Sequence, residues 1–338
     1  MITSTLIGNA PASFKAFFDA FDCLTITGPT GVGKTGLALR LASVWPIEII
    51  SMDSALVYTG MDIGTAKPSP AERRLVPHHL IDIRTPHQAY NAAEFSADAR
   101  SLITDIRARS KLPVLVGGTL LYFKALFEGL NDLPPTQPTV RAEINAQAAL
   151  VGWHEMHKLL GEIDPIAAQR LPPNDVQRVS RALEVWRISG KPMSSYFQDL
   201  PLVELRNKLI SLEPSNRSWL HKRLEERFDL MIQQGFIDEV RELRKDSRLS
   251  ADLPSMRCVG YRQIWQALEQ SDSLNHSHSH SLRGPQLSSL IEKGSAATRQ
   301  LAKRQLTWLR SMPHRLTLEC DKEDGQALMT DLFSILKI

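Results

Sequence analysis

The chain has 338 residues, of which 43% are hydrophobic and 23% are charged. This balance is typical of a globular protein with a sizeable core, and it excludes an intrinsically disordered or collagen-like chain. The formal net charge of +3 is too small to indicate a nucleic-acid-binding protein by itself, so the charges have to be considered locally.

The termini and the cysteines indicate the compartment. The first twenty residues contain one basic residue, Lys15, and no long apolar run, so we expect neither a signal peptide nor a membrane span. The three cysteines, Cys23, Cys258 and Cys320, are far apart and lack the spacing of a metal site. An odd number of separated cysteines fits a reducing compartment, and the cytoplasm is therefore expected.

Residues 28–35 match the phosphate-loop pattern G-x-x-x-x-G-K-[ST] in full. The apolar and β-branched segment before them, Cys23–Thr27, predicts a buried strand, and residues 36–42 predict a helix. A strand, a glycine-rich loop and a helix form the context in which this motif binds phosphate. The predicted diphosphate-binding or nucleotide-binding residues are Gly28, Pro29, Thr30, Gly31, Val32, Gly33, Lys34 and Thr35.

The chemistry of such a loop follows from its backbone. Glycines allow backbone N–H groups to surround phosphate oxygens, and the helix N-terminus adds a partial positive charge. We expect Lys34 to reach the terminal phosphate and the Thr35 hydroxyl to bind a Mg²⁺ ion that bridges two phosphates. The motif does not distinguish ATP from another diphosphate.

Polar side chains follow two more predicted strands. Asp53 comes after Ile47–Ser51, and Thr119 comes after Leu112–Val116. Ligands bind outside the carboxyl ends of the strands in open parallel sheets, so Asp53 is a candidate catalytic carboxylate and Thr119 a candidate substrate contact. Two simpler interpretations stay open, because Asp53 can be a turn residue and the glycines before Thr119 can merely start a helix.

Three other segments lie in this first part of the chain. Residues 58–68 form a polar loop with two glycines, and a long irregular stretch inside a compact domain tends to be functional. Residues 78–83 predict a short strand that starts with two histidines, whose side chains would point to opposite faces and make poor joint metal ligands. Residues 93–109 have helical periodicity.

The character of the chain changes between residues 131 and 202. A proline-rich linker at 133–138 is followed by helical periodicity alone, which predicts an all-helical insertion. We therefore expect a discontinuous α/β core of residues 22–130 and 203–338. The predicted helices of the insertion span residues 140–150, 153–161, 165–170 and 175–190.

The chain returns to the core with a predicted strand at 208–213 and a helix at 219–234. This helix presents Arg223 and Arg227 at positions i and i+4, a spacing that resembles a lid closing on phosphates. The alternative is that both arginines form solvated ion pairs with Glu225 or Glu226.

The last part of the chain has two compositional features. Residues 271–289 are rich in serine and histidine, which favours an exposed flexible loop over a metal site. A helix is predicted at 296–311, and residues 293–318 contain six lysines or arginines and no acidic residue. Such a basic segment predicts a polyanionic partner.

Together these segments resemble the bacterial tRNA dimethylallyltransferases, also called tRNA isopentenyltransferases. The resemblance extends from about residue 25 to residue 310, and only the Ser/His-rich segment near 275–283 is longer than expected for the family. The motifs that carry it span residues 28–35, 53–58, 60–68, 117–122, 174–184, 257–262 and 298–305.

The resemblance implies a fold and a reaction. The fold is an α/β, P-loop NTPase-like parallel-sheet core with an all-helical insertion domain that contacts the tRNA anticodon stem-loop. The reaction transfers a dimethylallyl group from dimethylallyl diphosphate to N6 of the adenosine immediately 3′ of the anticodon, with Mg²⁺ as cofactor and a monomeric enzyme. Asp53 resembles the catalytic base, and Thr35, Thr119 and Arg227 are implied to be catalytic as well.

The resemblance also implies that the target base leaves the anticodon stack and that the loop around it is held splayed. The implied tRNA-binding residues are Asp53, Ser54, Ala55, Leu56, Thr119, Arg141, Gln177, Arg178, Val179, Ser180, Arg181, Arg257, Cys258, Val259, Gly260, Tyr261 and Arg262.

Two other functions compete with prenyl transfer. A small-molecule or nucleoside kinase that uses ATP would explain the phosphate loop and the arginine pair, but it leaves the insertion and the basic C-terminal helix without a role. A non-catalytic RNA-binding protein would explain the basic helix, but it leaves Asp53 and Lys34 without one.

Overall fold

The computed structural model describes residues 11–197, 204–274, 282, 284–312, 314–321 and 325–337. The chain divides into two compact units. The first unit consists of Met1–Phe127 and Glu204–Ile338, and the second of Glu128–Val203.

A six-stranded sheet forms the centre of the first unit. Its strands, numbered along the chain, are β1 (Cys23–Thr27), β2 (Ile47–Ser51), β3 (His78–His79), β4 (Leu112–Val116), β5 (Asn207–Glu213) and β6 (Leu316–Glu319). Their order across the sheet is β3-β2-β4-β1-β5-β6, and every pair is parallel. Every residue of β1, β2 and β4 is buried, as expected for parallel strands with both faces covered. The predicted α/β fold with a parallel-sheet core is confirmed.

Helices surround this sheet and make up the second unit. In the first unit they are α1 (Ala12–Ala20), α2 (Lys34–Ala42), α3 (Pro70–Leu75), α4 (Ala92–Ala108), α5 (Leu120–Phe127), α10 (Arg217–Gln233), α11 (Phe236–Arg244), α12 (Tyr261–Leu274), α13 (Pro285–Arg310) and α14 (Gly325–Leu336). In the second unit they are α6 (Pro138–Val151), α7 (Trp153–Ile163), α8 (Pro165–Arg170) and α9 (Val176–Ser189), followed by a short 3₁₀ helix, Met193–Tyr196.

The structure corrects three of the predicted elements. The strand predicted at 78–83 ends at His79, because Leu80 and Asp82 have positive φ angles of 61° and 58° that extended backbone does not adopt. The C-terminal helix begins at Pro285 instead of residue 296. The predicted loop at 271–289 is shorter, because α12 and α13 take up its two ends; residues 275–281 and 283 lie outside the described residues.

The strand ends that carry Asp53 and Thr119 approach each other very closely. The Met52 N–H donates to the Val116 carbonyl at 2.8 Å, and the Thr119 N–H donates to the Met52 carbonyl at 3.2 Å. Gly117 makes this approach possible, since a Cβ atom at this position would lie 1.9 Å from the Met52 carbonyl oxygen. The two polar side chains therefore meet at one edge of the sheet because residue 117 has no side chain.

Within the described residues, no helix is both long and apolar enough to cross a membrane.

We expect Gly117→Ala to lower the free energy of unfolding by at least about 2 kcal/mol, because the added methyl group forces β2 and β4 apart. Urea denaturation measures this change. Gly36→Ala is the matched control, since a Cβ atom at Gly36 meets nothing within 4 Å. Replacing a glycine inside a helix by alanine is expected to raise the free energy of unfolding by up to about 1 kcal/mol. Equal effects of the two substitutions would contradict this account of Gly117.

Candidate active site

The phosphate loop has the backbone that its glycines predict. Gly28, Gly31 and Gly33 have φ angles of 141°, 86° and 90°, a region that other residues rarely adopt. The loop leaves β1 and leads directly into α2, whose first residues are Lys34 and Thr35. The N-terminus of α2 therefore adds unpaired N–H groups and positive charge to the loop.

Lys34 is folded over this loop. Its Nζ atom donates to the carbonyl oxygens of Gly28 at 3.0 Å and of Pro29 at 2.8 Å. The pKa of Lys34 is lowered to about 8, chiefly by burial; the Asp53 carboxylate opposes this shift, and the charge of Arg227 adds to it. A phosphate group would replace the two carbonyl contacts with a full negative charge, and it would therefore favour the charged amine.

Asp53 is held by one of its carboxylate oxygens. Oδ1 accepts a hydrogen bond from the Ala55 N–H at 2.9 Å, so Asp53 does form a local turn. Thr119 Oγ1 accepts from the Ser54 N–H at 3.0 Å and donates to Ser54 Oγ at 3.3 Å, which fixes the backbone next to Asp53. Within the described part of the chain, Asp53 Oδ2 accepts no hydrogen bond, so this oxygen is available to a ligand.

The two arginines of α10 both belong to this site. Arg223 Nε donates to the Gly31 carbonyl at 2.6 Å, and its guanidinium lies 5.3 Å from the ring centroid of Trp219. Arg227 lines the same pocket as Lys34 and Asp53; burial lowers the pKa of Arg227, and the Asp53 carboxylate opposes this shift. Glu225 and Glu226 instead pair with Arg299 and Lys222, which argues against the solvated ion pairs considered from the sequence.

Gln305 joins the site from α13, and the sequence motif that contains it predicted no role for it. Its Oε1 atom accepts from the Thr30 N–H at 2.9 Å, and its Nε2 atom donates to the Gly118 carbonyl at 2.9 Å. One partner is a donor and the other an acceptor, so the orientation of the side-chain amide is unambiguous. Gln305 therefore connects the phosphate loop to the end of β4.

Most of these groups line one cavity of about 120 Å³, whereas Thr119 and Arg223 lie outside its lining. Its polar side consists of Thr30, Lys34, Asp53, Thr65, Arg227, Thr298 and Gln305. Its apolar side consists of Leu224, Phe228, Met231, Phe236, Cys258, Val259, Tyr261 and Leu301. The cavity therefore combines cationic groups suited to a phosphate, a carboxylate suited to a proton donor, and an apolar wall suited to a hydrocarbon group.

The segment 257–262 contributes to this cavity only in part. Cys258, Val259 and Tyr261 line it, whereas Arg257 and Arg262 are exposed. Burial, reinforced by the charge of Asp53, raises the pKa of the Cys258 thiol to about 12. The thiol is therefore protonated at neutral pH and is not a nucleophile.

Six of the predicted tRNA contacts lie in the second unit. Arg141 and Arg181 both donate to the fully buried Glu184, at 2.9 Å and 2.8 Å. Val179 and Ser180 are buried, while Gln177 and Arg178 are exposed, with Arg178 paired to Asp175. Within this unit, Gln177 and Arg178 are thus the predicted residues most accessible to a partner.

The sequence matches the IPP transferase family over residues 56–312. The chain belongs to this family. The resemblance seen in the motifs is thereby confirmed, and the matched residues include Thr119, Arg227, Phe236 and Gln305.

Relatives of the family are similar over most of their length. The tRNA dimethylallyltransferase of Methylibium petroleiphilum is 56% identical, over 92% of this chain and 93% of the relative. The tRNA isopentenylpyrophosphate transferase of Bacillus halodurans is a similar solved structure, with a TM-score of 0.63 and 33% identity over 93% of this chain and 96% of that one. A eukaryotic dimethylallyltransferase acting on tRNA has a TM-score of 0.72 and 25% identity, over 93% of this chain and 79% of that one.

We expect the affinity for an alkyl diphosphate to fall as the pH rises above about 8, the pKa of Lys34. Diphosphate binding favours the charged amine, so above this pKa binding takes up a proton and Kd rises about tenfold per pH unit. Titration with methyl diphosphate between pH 7 and 9.5 measures this effect. The last pKa of a phosphate monoester is about 6, so the ligand keeps the same charge over this pH range.

Lys34→Arg is the control for this titration, since a guanidinium keeps its charge throughout the range. A flat profile is expected for this variant. The same slope in both proteins would show that another group carries the pH dependence.

Proposed function

We propose that this member of the IPP transferase family transfers a dimethylallyl group from dimethylallyl diphosphate to N6 of the adenosine immediately 3′ of the anticodon in tRNA. The observation that carries the proposal is the single cavity, in which a phosphate loop, an acceptor-side carboxylate and an apolar wall lie together. Solved structures and curated relatives named for this reaction support it.

The phosphate loop and two cations act on the leaving group. The N6 lone pair forms a bond to C1 of the allylic donor, while the electrons of the C1–O bond move to the diphosphate. Lys34, Arg227 and the loop N–H groups surround the oxygen atoms on which this negative charge grows. Because these groups are in place before the reaction, they stabilise the transition state without reorganising.

Asp53 acts on the acceptor. An adenine amine is a poor nucleophile, so its proton must leave as the new bond forms. Asp53 Oδ1 is occupied by the Ala55 N–H, whereas Oδ2 is available to take this proton. Thr119 orients the carboxylate indirectly, through the Ser54 backbone and hydroxyl.

The residues at the start of α2 fit a Mg²⁺ ion. Within the described residues the Thr35 hydroxyl has no hydrogen-bond partner, and no cluster of three or more acidic, histidine or cysteine ligands is present. Mg²⁺ typically keeps several water ligands and binds few protein groups besides phosphate oxygens, which agrees with a single hydroxyl. Thr35 would hold the ion, which would neutralise diphosphate charge.

Basic side chains on α13 are the proposed contacts to tRNA phosphates in the first unit. Lys303, Arg304 and Arg310 are exposed, whereas Arg299 is paired with Glu225. In the second unit, Gln177 and Arg178 are the proposed contacts to the anticodon stem-loop. We propose that the protein acts as a monomer in the cytoplasm, where its tRNA substrate is found.

An ATP-dependent kinase is the second candidate, favoured by the phosphate loop and by Arg223 and Arg227. Incubation of the protein with unmodified tRNA and either radiolabelled dimethylallyl diphosphate or γ-labelled ATP separates the two. Label in tRNA only from the prenyl donor is expected, and its loss on chelation of Mg²⁺ supports the ion. Transfer of the ATP label to a small acceptor would favour the kinase.

We expect Asp53→Asn to lower the single-turnover rate by roughly 10²- to 10⁴-fold, because the amide keeps the shape but not the basicity. Binding of tRNA and dimethylallyl diphosphate is expected to change little. Asp105→Asn, at an exposed position on α4, is the control. Weak tRNA binding with an intact rate per bound complex would make Asp53 an RNA contact instead.

We expect neutralisation of Lys303, Arg304 and Arg310 to weaken tRNA binding and to lower its dependence on salt. Each lost phosphate contact reduces the slope of log K against log salt by roughly 0.7 to 0.9. A variant with the same charge loss at Lys15, Lys222 and Lys245, which are exposed elsewhere, is the control. Equal slopes in both variants would place the tRNA on another surface.

A further inference from the structure

The apolar side of the cavity follows α10 away from the phosphate loop. Leu224 lies beside the loop, since a Cβ atom on Gly31 would be 2.6 Å from Leu224 Cδ2. Phe228 is four residues further along the same helix, a rise of about 6 Å at 1.5 Å per residue. Phe228 therefore lies about one helical turn along α10 from the residue beside the phosphate loop.

Phe236 lines the cavity next to Phe228. It is fully buried, and its ring packs edge-to-face against Phe228, with centroids 6.3 Å apart, and against Tyr261, with centroids 4.8 Å apart. All three rings line the cavity. They form an aromatic wall that we call the end wall, defined by Phe228, Phe236 and Tyr261.

Three glycines from separate segments allow the end wall to pack so tightly. A Cβ atom on Gly64 would lie 2.0 Å from the Phe236 ring, and one on Gly260 would lie 2.7 Å from it. A Cβ atom on Gly294 of α13 would lie 2.0 Å from the Phe228 ring. The rings already occupy the space beside these backbones, so they have no room to move back from the cavity.

Glu239 holds the backbone behind the end wall. Its carboxylate accepts from the N–H groups of Asp62 at 2.8 Å, Ile63 at 2.7 Å and Gly64 at 3.2 Å. The Tyr261 hydroxyl donates to the same carboxylate. One side chain thus fixes both the segment against which Phe236 packs and the third ring of the wall.

We propose that Phe236 limits the prenyl donor to five carbons, an inference that rests on the proposed function. With bonds near 1.5 Å, the four-carbon chain of a dimethylallyl group spans roughly 4 Å and fits within the turn between Leu224 and Phe228. A geranyl group carries a second isoprene unit of similar length, which would have to occupy the position of the Phe236 ring. A wall fixed by three glycines and Glu239 resists this displacement.

The test compares dimethylallyl diphosphate with geranyl diphosphate as donors to unmodified tRNA. We expect the ratio of kcat/KM for geranyl over dimethylallyl to rise at least tenfold in Phe236→Ala, since removal of the ring lengthens the apolar cavity. Phe236→Leu is measured in parallel because it leaves a smaller cavity in the core and preserves folding better. Displacement of bound methyl diphosphate by each donor gives the corresponding ratio of affinities without turnover.

Phe95→Ala and Phe95→Leu are the matched controls. Phe95 is also fully buried in the same hydrophobic cluster, where it stacks on Tyr122 at 4.4 Å, but it does not line the cavity. The controls are expected to keep the parental donor ratio. A parental ratio in both Phe236 variants, by turnover and by displacement, would overturn the inference, as would an equal change in the Phe95 variants.

The two proposals fail in different ways. Absence of dimethylallyl transfer by the unaltered protein would contradict the proposed function itself. Normal dimethylallyl transfer, together with an unchanged donor ratio in the Phe236 variants, would contradict only the role of Phe236.

Discussion

The close approach of β2 and β4 is the constraint on which the site depends. Two backbone hydrogen bonds join Met52 to Val116 and Thr119, and Gly117 leaves the space that this contact needs. Parallel strands place their carboxyl ends at one edge, and β1 lies next to β4 and delivers the phosphate loop to the same edge. The proposed diphosphate site and the Asp53 carboxylate therefore lie together without a dedicated connecting segment.

Charge and burial act against each other in this cavity. Lys34 and Arg227 are positive groups withdrawn from water, and burial lowers the pKa of each, while Asp53 provides one nearby negative charge. The unliganded site thus has an excess of positive charge in a place where water screens poorly. In the proposed reaction, a bound diphosphate would supply the missing negative charge. The electrostatic cost of assembling the cations would then be offset most fully when the donor is bound and when charge grows on the leaving diphosphate.

In the proposed reaction, the polar groups fix the position of the reacting atoms, and the end wall limits the length of the prenyl group of the donor. Gln305 joins the phosphate loop to β4, and Thr119 fixes the backbone beside Asp53, so both reacting ends have defined positions. The end wall is fixed by glycines and by Glu239, which satisfies three successive N–H groups. Precise positioning of reacting atoms and exclusion of longer chains are consequences of the same rigid packing.

The amino-acid sequence by itself predicted β1, β2, β4 and β5 of the core, the phosphate loop with its helix, and the candidate roles of Asp53 and Thr119. These features follow from short-range patterns, since an apolar β-branched run and a glycine spacing specify local backbone directly. Only the tertiary structure decided which distant groups complete the site. Gln305 lies 275 residues from its partner Thr30, and Glu239 is 177 residues from Asp62. Such contacts depend on how the helices pack over the sheet, and no local sequence pattern predicts them. For the same reason, the sequence did not predict that Arg141 and Arg181 both pair with a buried carboxylate, although the resemblance implied that they contact RNA.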